Sequence, residues 1–164
     1  MVFSSIVFLW VLLPIILICY YICPYLKARN FLLVIFSLFF YAWGEPKYIV
    51  LMLLSVLVNY VFGILIERGR KKGLLLAVCA ALNLLILGYF KYFHFLAETW
   101  NGFIKSDAFK VSEVSVALPI GISFYTFQAL SYVVDVYRGD NRAQKNFLNM
   151  VLYISFFPQL IAGP

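Results

Sequence analysis

The chain has 164 residues, of which 65% are hydrophobic and 12% charged, with a formal net charge of +6. A soluble domain of ordinary composition is roughly 45–50% apolar and about 25% charged, and no water-soluble interior of this size absorbs such an excess, so the chain reads as an integral membrane protein without a soluble domain. The positive charge does not indicate nucleic acid, because the basic residues sit in short connections between apolar runs, as topology signals and contacts to anionic lipid headgroups do.

The length allows about five or six helical passes of roughly 20 residues each, so the expected fold is all-α, a multi-pass transmembrane helical bundle. The first apolar run extends from Val2 to about Tyr25 and has its basic residues, Lys27 and Arg29, behind it. A cleavable signal carries its charge in front, so this run reads as a retained first helix with its N-terminus outside, kinked at Pro14. Phe31 to Trp43 follows, stopped by Gly44-Glu45-Pro46-Lys47. At about 1.5 Å per residue it covers only some 20 Å, which fits a short span better than a re-entrant arm but leaves both open.

Tyr48 to Ile66 is a full span with Asn59 inside it, and Glu67 to Gly73 then holds Arg68, Arg70, Lys71 and Lys72, the densest basic cluster. That connection belongs in the cytoplasm. Leu74 to Ala97 is the fourth span, with Asn83 at its middle and Lys91 and His94 among aromatic residues at its far end. His94, the single histidine, reads as an interfacial polar tip. The polar stretch Glu98 to Ser115 suits the outside, Val116 to Val134 crosses back, and Asp135 to Asn146 carries Arg138, Arg142 and Lys145 inside. Nine Lys and Arg thus fall on the proposed inner side and four on the outer. The last run, Phe147 to Pro164, contains Asn149, Pro158 and Gln159 and stops without a polar anchor, which reads as a truncation within a span.

The fifth span carries the candidate site. At about 100° per residue, Gly121, Gln128, Ser131, Tyr132, Asp135 and Arg138 fall within one third of the helix, interrupted by Phe124, and Ile122, Thr126, Ala129, Leu130, Val133, Val136 and Tyr137 lie outside it. An amide or carboxylate facing acyl chains is costly, so the stripe is expected to face other helices or a wet cavity. Two readings fit: a wall of a polar path, or interhelical hydrogen bonding by Gln128 and Ser131 with an Asp135–Arg138 ion pair at the surface. Cys19, Cys23 and Cys79 sit in apolar runs without a neighbouring His or carboxylate and read as small hydrophobes, so no metal site is expected. There is no Gly-rich phosphate loop, serine elbow or intramembrane carboxylate pair, and no bound cofactor is expected.

Four stretches go further: MVFSS at the start, RNFLLVIFSLFFYAWGEPKYIVLMLLSVLVNYVFGILI from Arg29, LPIGISFYTFQALSYVVDVYRG from Leu118 and QKNFLNMVLYISFFPQLIAGP from Gln144. Together, in order and spacing, they resemble the membrane-bound O-acyltransferase superfamily, in the branch of bacterial alginate O-acetyltransferases and of the membrane protein that D-alanylates teichoic acid. The resemblance implies that residues 1–164 form the N-terminal part of a single transmembrane domain of roughly a dozen helices. It implies transfer of an acyl group, acetyl in the alginate branch, to a polysaccharide hydroxyl. The donor would be acetyl-CoA or an acyl-carrier thioester at the cytoplasmic side of the inner (plasma) membrane, and the acceptor a polysaccharide or an extracytoplasmic transferase partner.

In that family the base is a histidine on a later helix. His94 stands outside the matching motif, so no catalytic residue is assigned here, and the chain is expected to be inactive alone. Ser123, Tyr125, Gln128, Ser131 and Asp135, standing in the matching motif, are implied to line the tunnel or frame it, and Arg138 joins them from the stripe. A non-catalytic subunit of a split acyltransferase and a small channel or transporter are the alternatives.

Overall fold

The computed structural model describes residues 8–44, 46–103, 119, 121–156 and 158–159, with the side chains of 8, 9 and 93–103 excepted. A turn of π-helix, Phe8–Leu12, runs into α1 (Leu13–Ile22), followed by α2 (Leu26–Gly44), α3 (Ile49–Arg68), α4 (Lys72–Phe103), α5 (Ile122–Arg138) and α6 (Phe147–Ser155). Among the described residues the fold is all-α. Leu26–Gly44, Ile49–Arg68 and Lys72–Tyr92 are long and apolar enough to cross a membrane, and Trp10–Ile22 is a shorter apolar helix.

The helix bounds follow from local chemistry. Pro14 is the second residue of α1 and has no N–H to give to the preceding turn, and the wide turn lies immediately before α1. The α1–α2 corner is held by Arg29, whose Nε donates to the Cys23 carbonyl at 2.7 Å while its guanidinium lies 5.1 Å from the Tyr20 ring centroid. Helix α2 begins at Leu26, well before Phe31, so its 19 residues reach about 28 Å. It is one unbroken helix of spanning length rather than a short run, because Lys27 and Arg29 sit in its first turns, where long basic side chains reach the interface. Helix α5 is bounded by Gly121 (φ 76°) and Gly139 (φ 85°), and the Gly139 and Asp140 amides both close on the Asp135 carbonyl. Helix α6 stops at Ser155, inside the Phe147 to Pro164 run, and residues 158–159 are helical again. Pro158 would clash with the Ile154 carbonyl in a continued helix, and Phe156 already turns to ψ 112°.

The interior sets a few small and polar residues among apolar ones, where the outside is uniformly greasy. On α3, Val50, Leu54, Leu57, Val61 and Leu65 form the exposed stripe, whereas Ser55, Asn59 and Gly63 face inward with Met52, Val56 and Ile66. On α4, Leu74, Val78, Leu82, Leu85 and Tyr89 are exposed, while Cys79, Asn83 and Leu87 are buried. This is the arrangement of a membrane bundle: large apolar side chains meet lipid, and small or polar ones let helices approach and bond.

Asn59 and Asn83 clasp α3 to α4. Each amide nitrogen donates to the other's oxygen at 3.0 Å. Asn59 Nδ2 also donates to the Ser55 carbonyl and Asn83 Nδ2 to the Cys79 carbonyl, both at 2.8 Å, while the Cys79 thiol donates to Asn59 Oδ1 at 3.4 Å. Cys79 is therefore part of a polar cluster rather than only a small hydrophobe. Among the described residues no group of His, Cys, Asp or Glu is spaced to hold a metal.

At one end, Glu67 Oε1 accepts from the Ala143 amide at 3.2 Å, and Asn30 Nδ2 donates to Asn149 Oδ1 at 3.3 Å. The start of α2, the end of α3 and the start of α6 therefore meet there. Lys27, Arg29, Arg68, Arg70, Lys71, Lys72, Arg138, Arg142 and Lys145 gather at that end, as the charge pattern of the loops predicts.

Replacing Asn59 alone by Leu leaves a buried amide on Asn83 without its partner. We expect a loss of about 1–3 kcal/mol in reversible unfolding from detergent micelles, and a loss smaller than the sum of the two single effects for Asn59→Leu/Asn83→Leu. Additive losses would show that the clasp is not a coupled unit.

Candidate functional site

Helix α5 packs with Ile122, Tyr125, Thr126, Ala129, Tyr132, Val133 and Val136 turned inward. Its contact with α3 is close because Gly63 has no side chain: a Cβ there would lie 2.7 Å from Tyr132 Oη and 2.9 Å from the ring edge. The polar stripe is thereby split by packing. Tyr132 is buried, Gln128 and Asp135 are half-buried at the seam, and Ser131 and Arg138 are exposed.

The seam runs between α5 and α6. Phe124, Phe127, Gln128, Ser131, Tyr153 and Gln159 line an open-sided groove of about 520 Å³. A second, more polar recess of about 250 Å³ lies toward the basic end and is lined by Tyr132, Asp135, Asn141, Arg142, Gln144, Met150 and Tyr153. Tyr153 belongs to both. Gln128 reaches across the groove and donates from Nε2 to the Tyr153 carbonyl at 2.7 Å, and the Tyr132 and Tyr153 ring centroids are 6.4 Å apart.

The floor of the recess is the connection 139–146, and successive residues in it are tied to the helices. The Ala143 amide donates to Glu67, the Gln144 amide to Tyr132 Oη at 2.9 Å, and Tyr60 Oη to the Lys145 carbonyl at 2.8 Å. Asn146 then caps α6 by accepting from the Leu148 amide at 3.0 Å. A loop without regular structure is thus held in one shape by side chains from α3 and α5.

Of the sequence candidates, Gln128, Ser131 and Asp135 come together along this seam. Ser123 and Tyr125 fall outside both sets of lining residues, and Tyr125 is buried in the core. Arg138 also lies outside them and pairs through Nε with Asp140 at 3.2 Å, not with Asp135. The reason is the left-handed Gly139, which turns the chain so that Asp140 follows closely. His94 lies on α4, and its side chain is outside the described residues. Asn141, Arg142, Gln144, Tyr153 and Gln159 are lining residues that periodicity on α5 could not reveal. For Gln144, Tyr153 and Gln159 the only sequence signal is the QKNFLNMVLYISFFPQ stretch that carries part of the resemblance, and Asn141 and Arg142 lie just ahead of it.

Comparison with known proteins bears on this stretch and on the rest of the chain. A "Probable alginate O-acetylase AlgI" of Pseudomonas aeruginosa is 41% identical over 171 residues, covering all of this chain and 32% of the relative. The protein of the same name from Azotobacter vinelandii is 40% identical over 169 residues, again across the whole chain and 34% of the relative. Over its whole length the chain is similar to alginate O-acetylases. The "Peptidoglycan O-acetyltransferase" of Helicobacter pylori is 31% identical over 196 residues, with all of this chain and 36% of that protein covered. The chain spans about a third of the length of these relatives. No family model and no solved structure matches. The membrane-bound O-acyltransferase resemblance read from YAWGEPKY and LPIGISFYTFQ is borne out by these relatives.

Tyr132→Phe keeps the ring against Gly63 but removes the acceptor of the Gln144 amide. Hydrogen exchange at that amide is expected to rise roughly tenfold, the weight of about one hydrogen bond, with α3 and α4 protection unchanged. Exchange at Gln144 that does not move would show that Tyr132 does not hold the loop.

Proposed function

We propose that this chain forms one wall of a membrane O-acetyltransferase that acetylates hydroxyls of an extracellular polysaccharide such as alginate. The observation that carries this reading is the end-to-end similarity, at 38–41% identity, to alginate O-acetylases. The Helicobacter pylori relative, whose name gives peptidoglycan as its acceptor, supports acetyl transfer to polysaccharide more broadly.

In such a transfer the acceptor hydroxyl attacks the carbonyl carbon of an acetyl thioester, the carbon–sulfur bond breaks, the thiol leaves and a base receives the hydroxyl proton. A water-poor, polar-lined passage suits this chemistry. The α5–α6 seam supplies such a lining, apolar at Phe124 and Phe127, amide and hydroxyl at Gln128 and Ser131, and charged at Asp135 and Arg142. The basic end suits an anionic donor, acetyl-CoA or a carrier thioester, on the cytoplasmic side of the plasma membrane. The acceptor is reached from the opposite side, directly or through an extracytoplasmic transferase. Among the described residues no histidine lines the seam, and the base comes from elsewhere in the assembled enzyme.

Two measurements test this. The 164-residue chain, reconstituted alone in liposomes with a radiolabelled acetyl thioester and alginate, is expected to transfer no label, and turnover by it would overturn the assignment of the base elsewhere. In an enzyme that carries this segment within the full length of the relatives, Gln128→Leu is expected to lower turnover roughly tenfold, as losing one hydrogen bond in a transition-state framework does. Unchanged expression and turnover would reduce Gln128 to a helix-packing residue.

A further inference from the structure

Glu67 sits at the basic end of the bundle, yet among the described residues it is in no ion pair. Its half-buried carboxylate goes instead to a backbone group, accepting the Ala143 amide through Oε1 at 3.2 Å. An ionised acceptor makes this a charge-assisted bond, stronger than a neutral one. The connection 139–146 is tied to the bundle without it. Tyr132 holds the Gln144 amide, Tyr60 holds the Lys145 carbonyl, and the Tyr60 and Phe147 rings meet edge to face with centroids 5.5 Å apart. What the Glu67 bond adds is a fixed point immediately after Arg142. On the other side, the amides of Gly139, Asp140 and Asn141 close on the Asp135 carbonyl at 3.1, 3.0 and 3.4 Å. Arg142 is thus flanked on both sides by pinned backbone. Its side chain is exposed, lines the recess, and among the described residues makes no ion pair or hydrogen bond, whereas Arg138 is already paired with Asp140. A guanidinium held by its backbone with its donors free suits a phosphate, which its planar fork meets through two parallel hydrogen bonds. Asp135 lines the same recess but is half-buried, so an anion is kept to the rim where Arg142 stands.

We propose that Glu67 is a positioning residue for the acyl donor: by holding the Ala143 amide it fixes Arg142 at the rim of the recess, where the guanidinium receives a phosphate of the thioester donor. This rests on the reading of the basic end as the donor side. The phosphate is the chemistry that acetyl-CoA and a carrier-borne thioester have in common, since both present the thiol on a phosphopantetheine arm. Glu67 itself lines neither the recess nor the groove, so it acts through Arg142 and touches no substrate. Without the anchor Arg142 stays in the loop but samples other directions. A phosphorylated donor then binds less tightly, because the guanidinium must be ordered on binding, and the transfer step itself is unaltered.

The test uses an enzyme that carries this segment within the full length of the relatives, assayed with acetyl-CoA, S-acetylphosphopantetheine and S-acetylpantetheine, the last without a phosphate. Glu67→Ala is expected to raise KM for a phosphorylated donor roughly tenfold, with kcat held within about twofold and KM for S-acetylpantetheine unmoved. Glu67→Gln keeps an oxygen for the Ala143 amide and is expected to bring KM back to within about threefold of the unsubstituted enzyme. Arg142→Ala is expected to raise the same KM at least as much, and Glu67→Ala added to it to raise KM no further. A rise with both phosphorylated donors marks the phosphate of the arm. A rise with acetyl-CoA alone marks the nucleotide phosphates, and coenzyme A as the source. Hydrogen exchange at the Ala143 amide, a readout independent of the reaction, is expected to rise roughly tenfold in Glu67→Ala with Gln144 unmoved. An unmoved KM or Ala143 amide, an equal rise in KM for S-acetylpantetheine, or a Gln variant as impaired as the Ala variant overturns the proposal and leaves the acetyltransferase reading standing. No transfer from any of these thioesters by the unsubstituted enzyme overturns that reading, and this inference with it.

Discussion

The reciprocal amide bond between Asn59 and Asn83 is the constraint on which the bundle turns. Inside a membrane there is little hydrophobic gain in bringing two helices together, because lipid is as apolar as leucine. Polar groups and close backbone contact must do that work. Asn59 has both of its amide protons and its oxygen satisfied within the α3–α4 pair, by Ser55, Cys79 and Asn83. A fully bonded cluster of this kind permits one register, since sliding either helix by a turn would strand two amides in a dry interior.

With α3 and α4 locked, the remaining helices have a surface to read. Gly63 is the point of closest approach, where the Tyr132 ring lies against the α3 backbone. That contact decides which way α5 is rotated. It turns Tyr132 inward, leaves Gln128 and Asp135 at the seam and exposes Ser131. The same tyrosine then holds the Gln144 amide, so one residue couples the pitch of a membrane helix to the shape of the surface loop beneath it. Glu67 and Tyr60 on α3 bind the neighbouring residues of that loop, and the floor of the polar recess is thereby built from the post that fixes its wall.

Much of the plan was visible in the residues. The excess of apolar side chains requires a bilayer, and the gathering of nine basic residues at one end follows from the alternation of loops. Asn59 and Asn83 stood out as lone amides in apolar spans, and the α5 stripe stood out by its period. The start of α2 did not, because hydropathy registers Lys27 and Arg29 as a break where the backbone continues as helix. The end of α6 was missed for the opposite reason: hydropathy runs on through Phe156 and Phe157, while Pro158 ends the hydrogen-bond ladder.

What the sequence determined by itself is local to each segment: its solvent, its helical state, its polar face and the side on which its loops lie. Periodicity along one helix carries that information completely. The meeting of Asn59 with Asn83, the partition of the α5 stripe between core, seam and surface, and the recruitment of Tyr153, Asn141 and Arg142 to the recess were decided only in the tertiary structure. These depend on the rotation and register of one helix against another, which are set by a missing side chain at Gly63 and a few hydrogen bonds whose partners lie 24 or more residues apart.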